Sequence, residues 1–396
     1  MVKKDWKTKR QRLVRTGLLA GAAVLLVTGT FFLSEAHQKT QCKKESVSGV
    51  EEIINKMTIE EKVAQLFIIT PEELTGYQRV TAAGEVTKKA LKQYPVGGLI
   101  YFSRNIQDPK QLKKMLTATR GYGMAINGIP LFLSVDEEGG MVARIGNHKN
   151  FSEKKFPNMK EIKTRADAKN VGVKIGHYLY KYGFNLDFAP DADVLSNPKN
   201  TVIGSRSFGN DAKKVALLSQ SVGEGFIQEK IVPVYKHFPG HGATTGDTHQ
   251  GFAYTNKTYR ELKSCEWVPF ISAIKNNAPM LMVGHISAPA VIGDNTPSSM
   301  SKVMVTDILR KDLNYKGIII TDAMDMGAIT NNYTSAEATV RAIQAGVDLV
   351  LMPENFKDSF QAVLTAIKKG TLSEKRINQS LKRILKVKFS ENLTRP

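Results

Sequence analysis

Three histidines and an aspartate crowd into residues 236–251, KHFPGHGATTGDTHQG: His237, His241, Asp247 and His249. Pro239 and the glycines at 240, 242, 246 and 251 make this stretch too broken for a helix. Two chemistries use such residues. A zinc site needs three or four converging ligands, which His237 and His241, or Asp247 and His249, would supply. Lys236 adjoins the first histidine and opposes a dication, and neither a helical HExxH nor cysteine pairs are present, so no metal is expected. Proton transfer needs only an imidazole oriented by a carboxylate, and Asp247-Thr248-His249 provides that pair. His249 would then serve as both general acid and general base. Gly240, Gly242 and Gly246 predict a mobile loop that swings the pair inward, while Lys236 and His237 stay behind as ligand-holding groups.

Other ionisable groups stand where apolar runs end, and such groups are costly unless they face a polar pocket. Asp322 closes GIIITD and is a candidate nucleophile for an electrophilic carbon, although a lone aspartate there would also cap the next helix. Asp325 is the fallback, with capping its more natural role. Asp136 ends LFLSVD; Gly139-Gly140 lets the backbone turn, and Arg144 returns toward the pocket to help bind a ligand rich in hydroxyls. Arg206, in TVIGSRSFGN, offers a guanidinium on a loop, with a solvated arginine the equal alternative. His285 reads equally as a satisfied core histidine. Asp187 and Asp191 organise a strand exit, and Glu137 and Glu138 read as solvated or structural.

These groups need a scaffold. Eight short apolar runs (64–70, 97–102, 131–136, 185–190, 232–237, 280–285, 317–322 and 348–352) alternate with amphipathic stretches. Helices are predicted over 108–123, 166–183, 211–230, 258–277, 335–346, 356–369 and 373–388. Eight buried strands alternating with helices predict an α/β fold, a (β/α)8 TIM-type barrel, whose C-terminal face would collect the ionisable strand ends. An open doubly wound sheet is the rival, weakened by the absence of a glycine-rich phosphate turn after the first strand.

The net charge of +19 is uneven. Residues 1–44 carry ten Lys/Arg against Asp5 and Glu35, a balance of +8 that leaves +11 for the rest. That excess suits an anionic wall or membrane surface; without a recognition-helix signature or an aromatic-interleaved basic run, no nucleic acid is expected. The basic start is followed by the uncharged run Gly17–Leu33, 17 residues long, the pattern of an export signal or membrane anchor. The anchor is the expectation, cleavage after Ala36 the alternative. Cys42 lacks a lipidation context, and Cys265 stands too isolated for a disulfide framework. The predicted organisation is a flank and anchor or signal over 1–36, a polar stalk over 37–49, and one catalytic domain over 50–396. A monomer facing outside the cytoplasmic membrane is expected.

VYKHFPGHGATTGDTH resembles the signature of glycoside hydrolase family 3 β-N-acetylglucosaminidases. LFLSVDEEGGMVAR, IGSRSFG and IIITDAMDM resemble that family's other motifs in the same order. The resemblance, from about residue 50 to the end, implies a (β/α)8 barrel, no metal or other cofactor, and a retaining mechanism through a covalent glycosyl-enzyme. It implies Asp322 as nucleophile and His249, assisted by Asp247, as acid/base. It further implies that Asp136, Arg144, Arg206, Lys236 and His237 bind the terminal N-acetylglucosamine. The implied partner is a peptidoglycan or muropeptide glycan. Two departures stand out: larger relatives carry a second α/β domain for which this chain has no room, and the hydrophobic start differs from cytoplasmic members. The alternatives are a β-glucosidase or a phosphorylase on the same scaffold, a metal-dependent hydrolase, and a silent wall-binding protein.

Overall fold

The computed structural model describes residues 49–390, apart from Lys154, His249, Gln250 and Phe252. The expected anchor or signal over 1–36, nearly all of the stalk with Cys42, and His249 therefore lie outside the described residues. Residues 49–56 are helical and belong to a first compact unit; the second runs from Met57. Among the described residues no helix is long and apolar enough to cross a membrane.

The second unit is the expected (β/α)8 barrel. Its strands are β1 (Phe67–Ile69), β2 (Gly98–Ile100), β3 (Phe132–Val135), β4 (Leu186–Asp187), β5 (Val232–Phe238), β6 (Met280–Val283), β7 (Ile318–Ala323) and β8 (Leu349–Leu351). Each pairs in parallel with its neighbours in sequence, and β1 closes the ring against β8. Every residue of β1, β2, β3, β5, β6 and β8 is buried, which is why these strands read as apolar runs and not as alternating patterns.

Helices return the chain between strands. They are α1 (Glu85–Gln93), α2 (Pro109–Asn127), α3 (Arg165–Tyr182), α4 (Ala212–Gln228), α5 (Val268–Lys275), α6 (Val303–Asp312), α7 (Ser335–Ala345), α8 (Phe356–Lys368) and α9 (Glu374–Lys388). Local signals set their ends. In α2 the Asp108 side chain accepts from Gln111 N, Pro109 occupies the first turn, and Gly128 stops the helix at φ 67°.

Three expectations need correction. The single helix over 258–277 is two, Tyr259–Ser264 and α5, because Pro269 has no N–H to continue the ladder. The sequence reading missed α1, a helix of only 9 residues that buries Thr87 and Leu91 alone. It also missed α6, which is wound as a π-helix and does not follow the 3.6-residue period.

The C-terminal helix closes the end of the barrel away from the expected site. Lys388, fully buried, donates to Gln65 Oε1 at 2.8 Å and to Gly97 O at 2.7 Å, and lies 5.0 Å from the Phe132 ring centre. Burial pushes its pKa well down. Beside it, Asp348 at the start of β8 accepts from Arg310, from Ser380 Oγ at 2.7 Å and from Arg383 Nη1 at 3.0 Å, with Arg376 Nη1 at 3.9 Å.

Candidate active site

The site begins where β3 ends. After Asp136 the chain forms a short hairpin, Glu137–Gly139 against Val142–Ala143, turned at Gly139 and Gly140 with φ of 89° and 57°. The buried carboxylate of Glu137 holds the returning arm. It accepts from Arg144 N (2.6 Å), Ile145 N (2.9 Å), Gly146 N (2.7 Å) and Tyr178 OH (2.7 Å). Burial raises its pKa, and these donors work in the opposite direction. Glu137 is thus structural, as expected, and it fixes the backbone that presents Arg144.

At the end of β5, Lys236 donates to Asp136 Oδ1 at 2.9 Å and stands 2.7 Å from Glu138 Oε1. Arg206, in the turn Gly204–Arg206 after β4, grips both oxygens of Glu138, Nη2 to Oε1 at 2.8 Å and Nε to Oε2 at 2.9 Å. Arg144 Nη2 lies 3.7 Å from Asp136 Oδ2, and its buried Nε has no hydrogen-bond partner. Four of the five predicted binding residues, Asp136, Arg144, Arg206 and Lys236, therefore form one network. Its hub is Glu138, which is 2 % exposed, so of the two readings given for it, solvated or structural, burial removes the first. Burial alone would raise the Glu138 pKa, but Arg206 and Lys236 outweigh it and hold the carboxyl well below its usual range. In turn, the carboxylates outweigh burial for the cations, so Lys236 and Arg206 are held above their ordinary values.

The segment after β4 supplies a second anchor. Asp191 bridges to Lys236 alongside β5, and Ala192 N donates to Lys236 O at 2.7 Å. Asp193 then accepts from His237 Nδ1 (2.7 Å), His237 N (3.2 Å) and His241 N (2.6 Å). The His237 Nδ1–H donates to Asp193, which leaves Nε2 facing Arg206 Nη2 at 3.5 Å. Sequence reasoning missed Asp193; its signal was the i, i+2 spacing from Asp191 in PDADV. Asp187 serves the strand exit as expected, accepting from Glu137 N at 2.9 Å.

Asp191, Asp193 and His237 have ligand atoms within 4.8 Å of one another, the one such group among the described residues. Asp193 already holds three N–H groups, and Asp191 Oδ2, which has no hydrogen-bond partner, has Arg206 Nε at 3.6 Å. The cation this cluster balances is the guanidinium.

Asp322, near the end of β7, is half-buried, and its Oδ1 accepts from Ala323 N at 2.8 Å. Burial raises its pKa, but His237, His285, the Ala323 N–H and Lys236 overcome that and hold it below the ordinary carboxylate value. Asp322 thus stays ionised at neutral pH, as a nucleophile must. His285 is the satisfied core histidine considered at the outset. Its Nε2–H donates to Ala323 O at 2.9 Å, and its Nδ1 meets Ser299 Oγ at 2.8 Å, which fixes the residue following Asp322. Asp325 is exposed.

The histidine-rich loop leaves β5 beside this cradle. His241 is buried, with Nδ1 3.0 Å from Thr244 Oγ1 and Nε2 3.3 Å from Thr248 Oγ1; burial and His237 lower its pKa. The expected mobility is corrected at two glycines. A Cβ on Gly242 would lie 2.2 Å from Val194 O, and one on Gly240 would lie 2.6 Å from Glu266 Cβ, so both are present for close packing. Farther along, Thr248 O accepts from Ala328 N at 3.0 Å, tying the loop to the segment that follows Asp322. Asp247 is half-buried on this loop, one residue before that tie. His249 falls outside the described residues.

Residues 58–387 match the family model described as the glycosyl hydrolase family 3 N-terminal domain. Beta-hexosaminidase A of Pseudoalteromonas piscicida is 31 % identical over 328 residues, 75 % of this chain and 54 % of that protein, so the chain spans about half the length of this relative. Beta-hexosaminidase LpqI of Mycobacterium tuberculosis is 32 % identical over 270 residues, 66 % of this chain and 68 % of LpqI. The solved family 3 β-N-acetylglucosaminidase of Paenibacillus sp. str. FPU-7 superposes with a TM-score of 0.79 at 32 % identity, covering 84 % of this chain and 62 % of that one. With the barrel closed, its polar strand ends gathered at one mouth and the family match running through nearly all of the barrel unit, the chain belongs to glycosyl hydrolase family 3.

Proposed function

We propose that the protein is a retaining exo-β-N-acetylglucosaminidase that removes non-reducing terminal N-acetylglucosamine from peptidoglycan-derived glycans outside the cytoplasmic membrane. The observation that carries this reading is the cradle Asp136–Lys236–Glu138–Arg206, built on three successive strand ends beside an ionised Asp322. Such a cradle suits one terminal sugar: Asp136 accepts from hydroxyls, and Lys236, Arg206 and the unpaired Nε of Arg144 donate to them. The names of the relatives, β-hexosaminidase and β-N-acetylglucosaminidase, support N-acetylglucosamine as that sugar.

In this reading an Asp322 oxygen attacks the anomeric carbon as the bond to the leaving oxygen breaks. His249, as imidazolium, gives its proton to that oxygen, and Asp247 stabilises the charged ring. The neutral imidazole then takes a proton from water. Water attacks the same carbon, releasing the Asp322 carboxylate and a sugar of retained configuration. The basic balance and the apolar run Gly17–Leu33 support work near the wall, with the enzyme anchored or secreted as a monomer.

The test is turnover of an aryl N-acetyl-β-glucosaminide against the aryl β-glucoside, with and without phosphate. Preference for the acetamido sugar and indifference to phosphate are expected. Preference for glucoside, or turnover that requires phosphate, would replace the reading with a glucosidase or a phosphorylase.

A further inference from the structure

At the end of the barrel away from the proposed active site lies a cavity of about 830 Å³ that none of the chemistry above uses. The helix-to-strand connections entering β5, β6 and β7 form one side, and the last turns of α9 form the other. Its walls are largely apolar, including Ile227, Ile231, Pro233 and Leu313. Six cations line it: Lys230, Lys275, Lys316, Lys382, Arg383 and Lys386. Among the described residues no aspartate or glutamate does.

Lysines near helix ends complement the helix dipole, which accounts for Lys275 in the last turn of α5 and Lys386 in that of α9. It does not account for the rest. Lys230 holds a left-handed backbone (φ 64°), where glycine or asparagine is usual; Asn277 and Asn314 occupy the equivalent turns before β6 and β7. Arg383 is fixed by Asp348, which already answers Arg310 and Arg376, so the wall behind the cavity carries more positive than negative charge. Burial, reinforced by repulsion from Arg383, lowers both Arg310 and Arg376. A concave pocket whose described lining carries charge of one sign focuses its field on any anion that enters.

We propose that this cavity is a binding site for an anionic amphiphile, of the class of a single-chain alkyl or isoprenyl phosphate, with its chain on the Ile231–Pro233–Leu313 wall and its phosphate among Lys316, Arg383 and Lys386. The chemistry follows from the lining. A bare polyanion gains nothing from apolar walls, a neutral amphiphile gains nothing from six cations, and a flat bilayer cannot enter a concavity. The site does not depend on the glycosidase reading.

The test is isothermal titration of the full chain with monomeric decyl phosphate, beside inorganic phosphate, decyl maltoside and phosphatidylglycerol vesicles. Saturable binding of decyl phosphate at one site is expected, weakened at least about tenfold for each of the two soluble comparators. The double variant Lys316→Glu/Lys386→Glu and the single variant Ile227→Asp should each lose binding to a similar degree. Their circular dichroism, melting and aryl-glycoside turnover should remain unchanged. Binding that ignores these substitutions, equal binding of inorganic phosphate or decyl maltoside, or binding to vesicles alone would overturn the proposal. So would decyl phosphate binding only to a variant ending at Ser390, since the chain's own terminus would then be the occupant.

Discussion

Glu138 and Arg206 meet through two parallel hydrogen bonds, 2.8 and 2.9 Å long, while the same carboxylate receives Lys236 at 2.7 Å. One buried acid thus sets two of the cations that face the proposed sugar site. Replacing it leaves both cations short of their counter-charge.

Glu138→Gln keeps the shape and removes the charge. It should destabilise the fold by about 3 kcal/mol in urea titration, the scale for breaking a buried ion pair. Turnover of an aryl N-acetylglucosaminide should show a raised KM with a smaller change in kcat, because the groups proposed to hold the sugar move and Asp322 does not. A purely structural glutamate would lower stability and leave KM unchanged.

Gly242→Ala tests whether the loop is built on close packing. The added methyl meets Val194 O at 2.2 Å, so backbone must shift. A loss of about 1–3 kcal/mol in stability is expected, together with a fall in kcat as the Asp247 segment is displaced. If the loop were merely flexible, alanine would be tolerated and thermal melting would not change.

Much of this site was visible before any coordinates. Asp136, Lys236, His237 and Asp322 each end an apolar run, and a barrel delivers such residues to one mouth whatever the details of its loops. Glu138 was not legible, because nothing local distinguishes a glutamate in a two-stranded turn from a solvated one; its partners Arg206 and Lys236 are 68 and 98 positions away. Gly240 and Gly242 were misread for the same reason: the atoms that demand a missing Cβ belong to Glu266 and Val194. The split at Cys265–Trp267 was legible in Pro269, whereas α6 hid behind its wide winding.

Lys388 makes a prediction about stability and pH. Its folded pKa lies well below that of an unfolded lysine, about 10.4. Between those values the unfolded chain binds a proton that the folded chain does not, so stability rises with pH across that window, by up to about 1.4 kcal/mol per pH unit. Urea titrations of the wild type and Lys388→Met from pH 7 to pH 10 should therefore diverge, with the wild type gaining on the variant as pH rises. Parallel curves would mean that the amine keeps its proton in the folded state.

A nucleophilic role for Asp322 requires its carboxylate to become bonded to the sugar. Incubation with a slow 5-fluoro N-acetylglucosaminyl donor, followed by intact-mass analysis and peptide mapping, measures this directly. The predicted result is one added glycosyl mass on the peptide that contains IIITDAMDM, at Asp322, and no adduct in Asp322→Asn. Turnover of that donor with no adduct on the wild-type enzyme, or a label on another side chain, would contradict the account.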